Sequence, residues 1–238
     1  MMAFGVSPVA LPADSDKSAS TAYRALAESS QSYLRCLDEA VVAGSLLPHT
    51  ALMTRVRGTG PGVAFGSVVR ALESFPHSWE SPFENSRNVS GAVIRGCDIL
   101  GEGREDGFLL LRFEAGTKDL PLHLHADSDR FIFAIGGRGF FHVSPDPLGV
   151  RGIRRIRHVP VKDRDALMFR RGTVHTFSTA EHPLLLLSYH QPFVPLEEEN
   201  QYTPANPPEF PRDFLNGCDS RVSFDPAWSV LTSDELMV

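Results

Sequence analysis

Two histidines stand two residues apart at His123-Leu124-His125. On a β-strand, residues with that spacing project from one face, so both imidazoles aim at one point. A third, His175, follows about fifty residues later in Arg171-Gly172-Thr173-Val174-His175. Neutral imidazole is the commonest metal-binding side chain, and three of them suit one divalent ion. A single histidine is more often a core residue satisfied by a hydrogen bond. The pair, together with a partner placed on a later strand, gives His123, His125 and His175 their reading as ligands. His142, His158 and His190 fall on neighbouring predicted strands and could carry protons near neutral pH, with His142 the candidate put forward. His49, His77 and His182 sit in loops or beside proline with no partner pattern.

The elements that must position these residues show in the hydropathy pattern. From about Ser90 the apolar period falls to two for a hundred residues. Candidate strands are Gly91–Leu100, Gly107–Glu114, Leu120–Ala126, Arg130–Ile135, Gly139–Ser144, Ile153–Val161, Asp165–Phe169, Val174–Ser178 and Leu184–His190. Turn chemistry separates them, including Gly101-Glu102-Gly103, Gly116-Thr117 and Gly136-Gly137. Short strands without long intervening helices imply an antiparallel sandwich or barrel. Ahead of them, Tyr23, Leu26, Tyr33, Leu34, Leu37 and Val41 form the stripe of an amphipathic helix, with Ser20 as N-cap and Gly44 as stop. That stripe needs a cover, either the barrel wall or a second copy in a homodimer. The expected organisation is a loose arm over 1–18, a helical extension over 19–89 with a short helix at 63–74, a barrel over 90–194 and an extended tail over 195–238 packed on the barrel. The glycines of Gly58-Thr59-Gly60-Pro61-Gly62 read as a loop; they lack the pattern of a phosphate-binding turn.

At this point the region 90–194 resembles the cupin superfamily. The first cupin motif is matched by Gly116, His123, His125 and Gly137, and the second by Asp165, Gly172 and His175. Arg164 and Arg170 replace the first glycine and the proline of the second motif. The resemblance implies an all-β dominated fold, an antiparallel cupin (jelly-roll) barrel with an N-terminal amphipathic helical extension. It also implies one divalent metal ion, Fe(II) foremost with Mn, Ni or Zn as alternatives. The glutamate ligand of the family would fall on Arg130, which offers no lone pair to a metal. Either the site is a three-histidine centre, or a local bulge turns the preceding Asp129 inward as a fourth ligand. Strand parity leaves this open, because Phe131, Ile132, Phe133 and Ala134 are all apolar. If Arg130 faces the cavity, it is a clamp for a substrate anion, a carboxylate being the natural one; otherwise it points outward and pairs with Asp127 or Asp129. The implied function is a non-haem iron(II) small-molecule dioxygenase or related cupin enzyme, its apolar cavity lined by Phe113, Phe131 or Phe133, Phe140 and Phe177. A non-catalytic small-molecule-binding or sensor protein is the alternative.

Composition narrows the partners. A net charge of −6 gives no broad basic surface for nucleic acid. No apolar run approaches a membrane span, and the first residues lack the basic region of a secretory signal, so a cytoplasmic protein is expected. Three widely spaced cysteines, Cys36, Cys97 and Cys218, suit neither a disulfide framework nor a thiolate zinc site and are expected to be mostly buried thiols.

Overall fold

Residues 13–49, 51–55, 88–101, 103–144, 156–196, 198, 201–205 and 230–232 are described by a computed structural model. In chain order its elements are α1 (Ala13–Val42), β1 (Leu52–Arg55), β2 (Val89–Arg95), α2 (Gly96–Leu100), β3 (Gly107–Phe113), β4 (His123–Leu124), β5 (Asp129–Ser144), β6 (Arg157–Lys162), β7 (Asp165–Phe169), β8 (Val174–Ser178), β9 (Leu184–Gln191), β10 (Thr203–Pro204) and β11 (Val230–Thr232). The loop at 58–62 and the short helix expected at 63–74 lie outside the described residues, as do most of the arm and Cys218.

The architecture turns on β5, which belongs to two sheets. Its first half pairs with β7 and β9, through Arg130↔Phe169 and Arg130↔His190. Its second half pairs with β6 and β8, through His142↔His158 and Val143↔His175. One sheet therefore runs β2-β3-β9-β5-β7-β1-β11 and the other β6-β5-β8-β4-β10, antiparallel except where β1 meets β11. The sheets curl over one interior as a jelly-roll barrel. Two strands separated by a Gly136-Gly137 turn were expected here, and the structure has one bent strand. The glycines make a bulge, with the register shifting between Ala134 and Gly136. Gly137 has φ 77°, and a Cβ there would collide with the Pro183 carbonyl.

Both faces of the first sheet are covered. Towards the interior it presents Leu109, Leu111, Ile132, Leu167, Leu184 and Leu186, which meet Phe141, Val143 and Phe177 of the other sheet. Outward it presents Phe108, Leu110, Phe131, Phe133, Met168 and Tyr189, which pack on Tyr23, Leu26, Leu34 and Leu37 of α1. Tyr33 stacks on Phe131 at 4.7 Å, and Gln31 Nε2 donates to the Tyr189 hydroxyl at 2.8 Å. The barrel wall thus covers the helix stripe. Each fully buried Leu contributes about 1.5–3 kcal/mol by leaving water.

The helix is longer than the capping signal implied. It begins at Ala13, and residues 13–18 are helical rather than loose. Ser20 lies within it and donates to the Ile99 carbonyl at 3.2 Å, tying α1 to α2. The strand expected through Leu100 stops at Arg95, where the chain folds into α2, and Gly96 at its start lies so close to Tyr23 and Asp106 that a Cβ there would collide with both. Cys97 in that turn is exposed, contrary to the expectation of a buried thiol, and Cys36 is half-buried. Among the described residues, no helix is long and apolar enough to cross a membrane.

Candidate metal centre

Strands β4 and β8 lie side by side with His123 opposite His175. His125 follows two residues on, and one potential ligand nitrogen from each of the three histidines lies within 4.8 Å of the others. All three side chains are buried. Each ring is oriented by the nitrogen that faces away from the cluster. His123 Nδ1 donates to the Pro121 carbonyl at 3.0 Å and His175 Nδ1 to the Thr173 carbonyl at 2.9 Å. His125 Nδ1 donates to the carbonyl of Gln201. A carbonyl can only accept, so Nδ1 carries the proton in each ring and the lone pair is left on Nε2. Histidine ligands in metal sites are fixed in this way.

Burial also keeps the rings neutral. It pushes His123 down to about 4, and it holds His125 and His175 well below the ordinary 6.5, with Arg130 adding to the effect. Phe169 packs against His175 at 4.3 Å and the Tyr202 ring lies 4.5 Å from His123. Three neutral, pre-oriented imidazoles fit a divalent ion.

Arg130 and Ile132 point into the barrel, and the parity that the sequence left open is settled by α1, which takes Phe131 and Phe133 on the other face. Arg130 is 1% exposed and donates through Nη1 to Ser128 Oγ, which in turn donates to the Pro192 carbonyl. Burial lowers its guanidinium to about 9, so it is still charged at neutral pH. The outward-pointing alternative for Arg130 is therefore corrected. Asp129, offered as a fourth ligand, has its carboxylate engaged by Arg171. Its Oδ1 accepts from Arg171 N and Nε at 2.8 and 3.1 Å and its Oδ2 from Arg171 Nη2 at 3.0 Å, away from the three histidines.

The wall beside the cluster contains Leu109, Leu111, Phe113, Ile132 and Phe177, with Ser188, His190 and Gln201 as further polar members. Phe113 and Phe177 are where the sequence put them. Phe131, Phe133 and Phe140 are not, the first two because they face α1 and the last because it lies beside His142, at 6.4 Å. His142 also lies away from this wall. The bulge reverses the parity of β5, so Phe141 and Val143 face inward and His142 faces outward. There its Nε2 is 2.7 Å from Ser178 Oγ and its Nδ1 2.6 Å from His158 Nδ1. His190 is the strand histidine that reaches the site, and the Ser188-Tyr189-His190 alternation was its available signal. Gln201 had none, because it arrives from the tail. The cavity itself measures only about 20 Å³.

No protein-family model and no curated protein sequence matches the chain. Several solved structures match it in part. The polyketide cyclase RemF from Streptomyces resistomycificus is 17% identical over 59% of this chain and 87% of its own, at a TM-score of 0.41. An oxalate decarboxylase from Lactobacillus farciminis, solved as a formate complex, is 13% identical over 49% of this chain and 32% of its own, at 0.38. The Bacillus subtilis oxalate decarboxylase, in a structure concerned with its Mn(II) centres, is 16% identical over 49% of this chain and 29% of its own, also at 0.38. The chain spans about a third of the length of the first of these decarboxylases. Likeness at this level decides nothing about activity. What the molecule itself shows is a jelly-roll barrel in which His123 and His125, on and just after β4, meet His175 of β8 in the interior.

Proposed function

We propose that this chain is a metal-dependent cupin enzyme that binds one divalent ion on His123, His125 and His175 and acts on a small anionic molecule. The observation that carries the reading is the convergence of three imidazoles whose Nδ1 protons are all engaged by backbone carbonyls. The bound ion would supply Lewis acidity and, as iron(II), redox chemistry with dioxygen. The donor set favours the iron(II) dioxygenase version, since three neutral ligands leave coordination positions open. Arg130 holds the substrate carboxylate, and His190 stands in the same wall to hold or pass a proton. Phe113, Phe177 and the leucines exclude water from that wall.

The second reading, a non-catalytic binding or sensor protein, is favoured by Arg130 and Arg170, which stand where the cupin pattern has an acid and a proline. Dioxygen consumption by the iron(II)-loaded protein, measured against small organic acids, thiols and phenols, separates the two. Uptake with one substrate class supports the enzyme. Tight binding of a small acid with no uptake and no turnover on any member replaces it with the binding protein.

A further inference from the structure

The wall of the metal site is one-sided in charge. Among the described residues that line it are the Arg130 guanidinium and four imidazoles, and no carboxylate. Asp129, next in sequence to Arg130, is committed to Arg171. Two polar atoms in this wall have no hydrogen-bond partner among the described residues, Arg130 Nη2 and His190 Nδ1. They belong to residues 1% and 2% exposed that oppose each other in the register of β5 and β9. His190 Nε2 lies 3.0 Å from Ser188 Oγ, and when that hydroxyl donates to it the ring presents Nδ1–H as a donor.

Burying a guanidinium whose nearby carboxylate, Asp129, offsets the burial only in part and gives its hydrogen bonds to Arg171 is unfavourable, and leaving a buried donor unmade adds to the penalty. A divalent ion on three neutral ligands would bring two further positive charges into the same water-poor space. Repulsion between ion and guanidinium is weakly screened there. An anion placed against both would reverse the sign of the interaction and satisfy the two lone donors at once. A planar carboxylate suits a guanidinium edge; the cavity of about 20 Å³ holds roughly one water, so the wall must open to take even the smallest carboxylates, formate or acetate, beside the ion.

We propose that metal and anion bind this site as a linked pair. A compact carboxylate, held by Arg130 Nη2 and His190 Nδ1–H, is taken up with the ion, and each raises the affinity for the other by the same factor. The inference rests on the three-histidine reading and adds that the ion alone is held weakly.

The test is chelator competition with Zn(II), a redox-inert probe, on the full chain in buffer free of coordinating anions and then with sodium acetate or formate. Wild type is expected to hold Zn(II) at least tenfold more tightly with saturating carboxylate. Arg130→Met is expected to bind Zn(II) without carboxylate more tightly than wild type does, with the carboxylate effect reduced to under about threefold. His190→Gln, a milder change, is expected to weaken the coupling while the fold is retained by circular dichroism. Zn(II) bound by wild type with equal affinity in the presence and absence of carboxylate would overturn the linkage and leave the metal site standing. No Zn(II) bound by either wild type or Arg130→Met under any condition would overturn both.

Discussion

His123, His125 and His175 differ from the other described histidines in one respect that can be tested residue by residue. Each has its outer nitrogen fixed by a backbone carbonyl and its inner nitrogen turned towards the other two. Replacing any one of them by alanine is expected to remove most of the bound metal, whereas His182→Ala, at an exposed contact with Arg138, is expected to keep it. Elemental analysis of the purified variants gives the answer, and full occupancy in His175→Ala would sink the assignment. The residue that most changed meaning is Arg130. The sequence placed a cation where the cupin pattern has an acid, but it could not say which way the cation pointed. Its direction depends on what covers the opposite face of β5, and the residues that do so lie about a hundred positions earlier in α1.

Individual elements explain why the strands were legible while their faces were not. Asp165–Phe169 and Val174–Ser178 match β7 and β8 residue for residue, because turns bound them on both sides. The runs Phe131–Ile135 and Leu184–Leu187 are apolar on both faces because the sheet they form lies between the interior and α1, so alternation is lost. Gly136-Gly137 looked like a turn because a bulge and a turn both draw on glycine's freedom at positive φ. A pair of substitutions separates backbone freedom from crowding. Gly116 has φ 80° with open space around its missing Cβ, so Gly116→Ala is expected to cost about 1–2 kcal/mol in urea unfolding. Gly137→Ala adds a collision with the Pro183 carbonyl to a similar φ, and a much larger loss is expected. Equal losses would show that the bulge can yield. The tail makes its own test. Gln201 to Ala205 lies along β4, with Thr203 opposite Leu124 and Pro204 opposite His123, and it supplies the carbonyl that orients His125. A chain ended after Asn200 is expected to lose roughly 10–100-fold in metal affinity, the usual effect of removing an outer hydrogen-bond partner from a ligand. Chelator competition that finds it unchanged would mean that His125 holds its orientation without the tail.

The whole molecule stores several histidines in neutral form. Burial lowers His123 to about 4 and His142 to about 3, and it lowers His125, His158, His175 and His190 as well. In the unfolded chain all of them titrate near 6.5. Above that pH neither state takes up protons at these groups and they do not affect stability. As pH falls from 6.5 towards 4 the unfolded chain is protonated and the folded one is not, so stability declines through that window. The urea midpoint is therefore expected to drop between pH 7 and pH 5, and less so in His142→Gln. A midpoint that holds steady across that range would show that the folded protein accepts these charges. The layered build has a further consequence, in time rather than in energy. Gln31 of α1 finds Tyr189 of β9 across 158 residues of chain. At about 5–20 residues per second, the ribosome would take roughly 10–30 s to deliver that partner once the helix has been made. Throughout that interval Leu26, Leu34 and Leu37 have no completed sheet to cover them. The nascent chain is then a natural client for a holdase chaperone, and premature termination before β9 would release a polypeptide with a bare, aggregation-prone helix.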